Sequence, residues 1–254
     1  GGDVRESPFG EDRDRQMVQR FPAVRYTLLT QPVLGPLSFD VAGFASNYYR
    51  READLGSGQL YSIVPRLALP WRFFGALDFW AAGGYREWFF QPHPDYEAES
   101  LATGRPEAEV LTSMQFERIY ETRDRLIRHS IRPTLLGYYG AEPEQPEDPF
   151  FGSLVPARAT ELAGTRFESR LWSREKSGGI PLETARVELT QFYDFEADIW
   201  RDLRIEGKLG EPTPWVLTLD AYYSWERIEW SRVKARLGYR YKEALLLYAG
   251  YRMD

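Results

Sequence analysis

The chain holds two histidines, a single asparagine and no cysteine, which narrows its scope for covalent or metal chemistry before any fold is considered. Without cysteine there is no thiolate nucleophile, no disulfide framework and no Cys-ligated metal. A base stands next to a nucleophile at His129–Ser130, with Asn47 the one available orienting amide for a Ser–His–Asn hydrolase. In an extended strand, however, neighbouring side chains point to opposite faces, so those two cannot share a proton. His93-Pro94-Asp95 has no metal-ligand spacing, and no phosphate-binding fingerprint follows the turn Gly56-Ser57-Gly58. Glu142, Glu144, Glu147 and Asp148 offer hard oxygen ligands for divalent cations, or simply form a solvated loop. What remains is a cationic set at every second residue, Arg232, Lys234, Arg236 and, further on, Arg240. That spacing gathers them on one face of a strand, where they suit phosphates or carboxylates, or form a solvated lining balanced by Glu206 and Asp220 on neighbouring strands. The expectation is a protein without enzymatic activity, cofactor or metal.

The elements that position such a face are strands. Aromatic residues make up 15% of the chain, with 8 Trp, 16 Tyr and 15 Phe, yet the mean hydropathy is −0.49. Large rings in a hydrophilic chain require fine interleaving of apolar and polar residues, as in alternating strands. Trp215, Leu217, Leu219, Ala221, Tyr223 and Trp225 oppose Thr218, Asp220, Tyr222 and Ser224; Val233, Ala235, Leu237 and Tyr239 oppose the cationic set; Tyr61, Ile63, Leu67, Leu69, Trp71 and Phe73 oppose Ser62, Arg66 and Arg72. Twelve strands are predicted, near 22–30, 36–50, 58–73, 75–90, 107–121, 125–139, 157–173, 182–195, 198–209, 213–226, 229–241 and 244–253. The spacing is that of an up-and-down meander in one domain over 1–254.

A net charge of −6, from 32 Lys and Arg against 38 Asp and Glu, removes the electrostatic footprint of a nucleic-acid binder. No apolar run approaches the ~18 residues of a membrane helix. Connections near 74–75, 123–124, 196–197, 210–212 and 242–243 are short, whereas 91–106, 140–156 and 176–181 are long and polar, the asymmetry of an outer-membrane barrel. Trp215 to Trp225 spans about 33 Å at ~3.3 Å per residue, and a tilt of ~40° projects this to about 25 Å, the height of the apolar band between aromatic girdles. The expected fold is therefore all-β, an antiparallel up-and-down transmembrane β-barrel. Its polar, lumen-facing residues are Asp220, Tyr222, Arg232, Lys234, Arg236 and Arg240. Its lipid-facing girdle is Trp215, Tyr223, Trp225, Trp71 and Tyr239.

Several strings, in order, resemble the barrel domain of the LPS-assembly outer-membrane protein (LptD) family. They are Phe21-Pro22-Ala23-Val24, Val64-Pro65-Arg66-Leu67-Ala68-Leu69-Pro70, Gly84-Tyr85-Arg86-Glu87, Ile131-Arg132-Pro133-Thr134-Leu135-Leu136-Gly137-Tyr138-Tyr139, Asp148-Pro149-Phe150, Leu189-Thr190-Gln191-Phe192-Tyr193-Asp194 and Leu237-Gly238-Tyr239-Arg240-Tyr241. The resemblance implies a Gram-negative outer-membrane location. It also implies a barrel that receives lipopolysaccharide from a periplasmic bridge and is plugged by a lipoprotein, LptE. The family's jelly-roll domain, first barrel strands, cysteines and C-terminal strands have no counterpart here, so the resemblance implies the middle part of a larger barrel or a reduced relative. The alternatives are a closed twelve-stranded, porin-like channel for small solutes and, behind it, an outer-membrane lipid hydrolase. The prolines Pro65, Pro70 and Pro133 cannot donate to a ladder and are expected at bulges or strand ends, or where the wall opens.

Overall fold

A computed structural model describes residues 19–49, 56–96, 98–144, 149–152, 154–156, 158–210, 214–241 and 245–253. Fourteen strand segments follow one another: β1 (Gln19–Leu34), β2 (Leu37–Tyr49), β3 (Gly58–Phe73), β4 (Leu77–Pro92), β5 (Leu101–Met114), β6 (Phe116–Glu121), β7 (Arg125–Gly140), β8 (Thr160–Glu175), β9 (Leu182–Asp194), β10 (Ile199–Trp200), β11 (Leu203–Leu209), β12 (Trp215–Ser224), β13 (Glu229–Tyr241) and β14 (Leu245–Met253). One short helix, α1 (Pro149–Gly152), lies between β7 and β8. The strands form one large antiparallel meander in the order β1-β2-β3-β4-β5-β7-β8-β9-β11-β12-β13-β14, with β6 on β7 and β10 on β9. Because β6 continues β5 and β10 precedes β11, the fourteen segments amount to the twelve spans expected from alternation. Among the described residues β1 pairs with β2 alone and β14 with β13 alone, so the ladder does not close on itself.

Contacts group the chain into two compact units, one of residues 1–70, 80–109 and 138–160, the other of residues 71–79, 110–137 and 161–254. In the first unit β3 alternates as its sequence requires, with Leu60, Ser62, Val64 and Ala68 buried and Tyr61, Ile63, Leu67 and Leu69 exposed. The buried side is covered from α1: Phe151 stacks on Phe90 at 5.4 Å, and Leu60, Trp88 and Val155 complete a small core. In the second unit the rings stand outward. Trp71 and Trp215 are each 48% exposed, and Phe73, Leu217, Leu237 and Tyr251 are exposed with them. Where a bulky ring faces a glycine across the ladder, the ring lies over it, as Phe192 does on Gly164 and Tyr248 on Gly238. The two-residue turn Phe74–Gly75 has φ of 52° and 69°, the left-handed pair that lets a hairpin turn match strand twist.

Several boundaries differ from the sequence reading. β5 begins at Leu101 rather than 107, because Thr103, Arg105 and Glu107 all bury on one face despite the polar composition that suggested a loop. β12 stops at Ser224, so Trp225 belongs to the following turn. Pro65 sits in unbroken register opposite Val41, Pro70 lies past the last β2–β3 pair at Ala68, and the chain leaves strand geometry at Gln115 beside the Arg132–Pro133 step. Two of the three prolines thus mark an end or interruption of the ladder.

Candidate functional site

Register turns the alternation of the second unit into three parallel rows on one face. The middle row runs Glu168–Glu188–Glu206–Asp220–Lys234–Arg252 from β8 to β14, one residue from each strand. Two residues along each strand on one side lies Arg170–Arg186–Lys208–Thr218–Arg236–Gly250, and on the other side Arg166–Thr190–Arg204–Tyr222–Arg232. Acids therefore face acids directly across strands, an arrangement that by itself is destabilising. Guanidinium bridges, some along a strand and some diagonally across to the next, offset it. Arg186 reaches Glu188 at 2.6 Å and Glu168 at 3.2 Å, Arg170 reaches Glu168 at 2.6 Å, and Arg166 reaches Glu188 at 3.3 Å. Arg204 pairs with Glu206 and stands 3.5 Å from Asp220. Tyr222 is sandwiched between the guanidiniums of Arg204 and Arg232, at 5.6 and 5.3 Å from its ring.

The six residues expected to line a lumen, Asp220, Tyr222, Arg232, Lys234, Arg236 and Arg240, do share this face, and all but Arg240 fall within the three rows. The expected balance of charge is different. Asp220 lies opposite Lys234, but its carboxylate turns toward Arg204, and Glu206 is likewise taken by Arg204. Among the described residues Lys234 and Arg236 therefore have no carboxylate of β11 or β12 within 4 Å, although Asp220 faces Lys234 across the ladder. The girdle residues form two clusters on the other face. Trp215 meets Tyr239 at 4.7 Å, while Tyr223 meets Trp225 at 5.1 Å and Trp230 at 5.4 Å. Trp71 and Phe73 form a third pair at 6.3 Å. At the last residue of β9, Asp194 accepts the N–H groups of Glu196 and Ala197 and two bonds from Arg201 at 3.1 and 2.7 Å.

No family model matches the chain, and no curated protein matches it either. The geometry must carry the reading.

Two further groupings were not found from sequence. His129 does not meet Ser130; its Nε2 lies 2.9 Å from Ser169 Oγ on the next strand, and among the described residues its Nδ1 has no partner to orient it. Sequence adjacency gave no sign of this, since forty residues separate the pair. The second grouping is a buried charge cluster in the first unit. Arg105, 5% exposed, bonds Glu107 at 3.1 Å, Tyr138 at 3.2 Å and the carbonyl of Arg158, while Arg86 bonds the same Glu107 at 2.8 Å. Both guanidiniums lie over Trp88. The alternation Thr103, Arg105, Glu107 was the available signal, masked by Pro106. His93 pairs with Asp95 at 3.3 Å at the surface. Among the described residues no cluster of His, Asp and Glu could hold a metal; Glu147 and Asp148 lie outside them.

Proposed function

We propose that this chain forms part of the wall of a Gram-negative outer-membrane β-barrel in the translocon that inserts lipopolysaccharide into the outer leaflet. One observation carries the membrane part of the reading: successive strands present exposed rings and aliphatic chains on one face and ion-paired side chains on the other. In water an apolar surface spread over so many strands would drive association, whereas hydrocarbon covers it without penalty. Aromatic clusters near both ends of the β12–β13 hairpin suit the two interfaces of a bilayer.

The lipopolysaccharide part rests on the ordered resemblance to LptD barrels. In that reading the protein does no covalent chemistry. Its apolar face sits among acyl chains, its polar face accommodates sugar and an LptE-like plug, and energy arrives through the periplasmic bridge. A closed twelve-stranded channel would need β1 paired with β14, which the described pairings do not include, and a hydrolase would need a group to orient His129. The test is purification of the protein from outer membranes. It is expected to bring down an LptE-like lipoprotein and to crosslink to lipopolysaccharide from photoreactive residues on the polar face. A partner-free protein with steady ion conductance would overturn the translocon in favour of the channel.

A further inference from the structure

We infer that the apolar face of the β6–β7 hairpin binds the phosphate group of a membrane lipid through Arg118 and Arg125, with His129 beside them; the inference rests on the membrane reading of that face. Register ties the position to the faces already described. Ser169 lies opposite Val187, Val187 opposite Gly207 and Gly207 opposite Leu219, so Ser169 belongs to the apolar side. His129 meets Ser169 there at 2.9 Å, and Arg118 is the register partner of His129. Phe116 and Tyr120 of β6 and Phe167 of β8 stand exposed on the same side. Among the described residues that side carries no Lys or Arg across β8, β9, β11, β12, β13 and β14, whereas this one hairpin carries two.

A guanidinium on a surface wetted by hydrocarbon needs a partner or an escape toward the interface. The Arg118 guanidinium lies over the Tyr120 ring at 5.1 Å, two residues nearer the turn at 122–124, and Arg125, the first residue of β7, reaches Ser173 Oγ at 3.4 Å. Both forks therefore gather at the turn end of the hairpin. Among the described residues no carboxylate lies within 4 Å of either. Glu117 and Glu121, on the other face, are taken by Arg128 and Lys176; Asp124 lies in the turn, and Glu175, at the end of β8, accepts a hydrogen bond from Ser177. Depth points to the ligand. With strands ~4.8 Å apart and tilted ~40°, a row of register partners climbs about 3 Å per strand, so Arg118 and His129, four to five strands from Leu219, stand roughly 12–15 Å from the midplane. The turn with Arg123 and Asp124 fixes the direction, because it has to clear an apolar band ~25 Å tall. That places the two forks at the edge of the band, where the lipid-wetted side of a protein meets headgroups, and the headgroup anion suited to bidentate guanidinium forks is phosphate.

The test uses the full chain refolded in uncharged detergent and native mass spectrometry, with phosphatidic acid, diacylglycerol of the same chains and inorganic phosphate as separate probes. Phosphatidic acid is expected to stay bound where diacylglycerol does not. Arg118→Gln and Arg125→Gln should each weaken its retention about ten-fold or more, Arg118→Lys should weaken it less, and Lys234→Gln, on the polar face, should leave it unchanged. Both hairpin glutamines take charge off an apolar surface, so the fold is expected to survive them. Equal retention of diacylglycerol, equal loss in Lys234→Gln, or retention that ignores both hairpin variants would overturn the site. Binding of inorganic phosphate as tight as that of phosphatidic acid would overturn the lipid as its source. Leu219→Arg keeps the two readings apart: if it is costly and no phosphate-dependent lipid binding is found, the site alone falls, whereas if it costs nothing, the membrane reading falls and the site with it.

Discussion

Placing arginine along the apolar side of β12 tests whether hydrocarbon wets it. Leu219 lies four residues from Trp215 and four from Tyr223, the two ring clusters of this strand. At ~3.3 Å per residue that is about 13 Å along the strand, and a tilt of ~40° puts Leu219 roughly 10 Å below each aromatic belt, near the midplane. Leu219→Arg is therefore expected to cost about 2–4 kcal/mol. Leu217→Arg should cost less, and Trp215→Arg should lose about 0–1 kcal/mol through charge depth, apart from its ring contacts. In water, by contrast, arginine at any of these positions would fall within about 0.5 kcal/mol, because surface substitutions outside special features do so. The assay is reversible guanidinium unfolding from lipid vesicles, followed by tryptophan fluorescence and by heat-modified mobility on gels. Thr218→Glu is the matched control, since it places a charge one residue away on the polar face near Arg236 and should be neutral. A flat profile across 215, 217 and 219, or a Thr218→Glu penalty equal to that of Leu219→Arg, would refute the assignment of faces.

Other perturbations read other parts of the molecule. Glu188→Gln removes the carboxylate shared by Arg186 and Arg166 and should cost about 1–2 kcal/mol in the same unfolding assay, with Arg186→Gln added in the double variant recovering part of it. Phe151→Ala, which empties the fully buried position against Phe90, is expected to lose about 3 kcal/mol from the packing of α1 and to expose the connection around 141–159 to protease while the strands stay protected. Asp194→Ala removes the acceptor for the Glu196 and Ala197 N–H groups and for Arg201, and should cost about 1–3 kcal/mol in the same assay; a loss no larger than that of an ordinary surface substitution, within about 0.5 kcal/mol, would contradict the Arg201 pairing.

The strands were legible because a period of two survives any tertiary context in which one side of a sheet is apolar. The predicted bounds 58–73 and 229–241 coincide with β3 and β13, and the other spans differ from prediction chiefly at their ends. The misreadings occurred where burial overrode composition. Leu101 to Pro106 looks like loop by its Gly and Pro, yet Arg105 finds Glu107, Tyr138 and a carbonyl on the covered side and draws the segment into the sheet. Parity placed Asp220, Lys234 and their neighbours on one face, but parity is silent on register, and register decides that Asp220 serves Arg204. The pairing of His129 with Ser169 was invisible for the same reason, being a consequence of how β7 and β8 align.

Register also sharpens what the polar face is for. A shift of two residues between β9 and β11 would preserve every inside–outside assignment and place Glu188 opposite Arg204 or Lys208, replacing an acid–acid pair by an opposite-charge pair. The molecule instead keeps Glu168, Glu188, Glu206 and Asp220 in line and satisfies them diagonally. Pairwise charge therefore does not set this register; the connection from β9 to β11, held by Asp194 on the N–H groups of Glu196 and Ala197 and on Arg201, constrains it instead. A consequence follows for anything charged that moves across this face. From β8 to β12 each carboxylate is neutralised within one row, so an anion meets alternating signs with little net attraction.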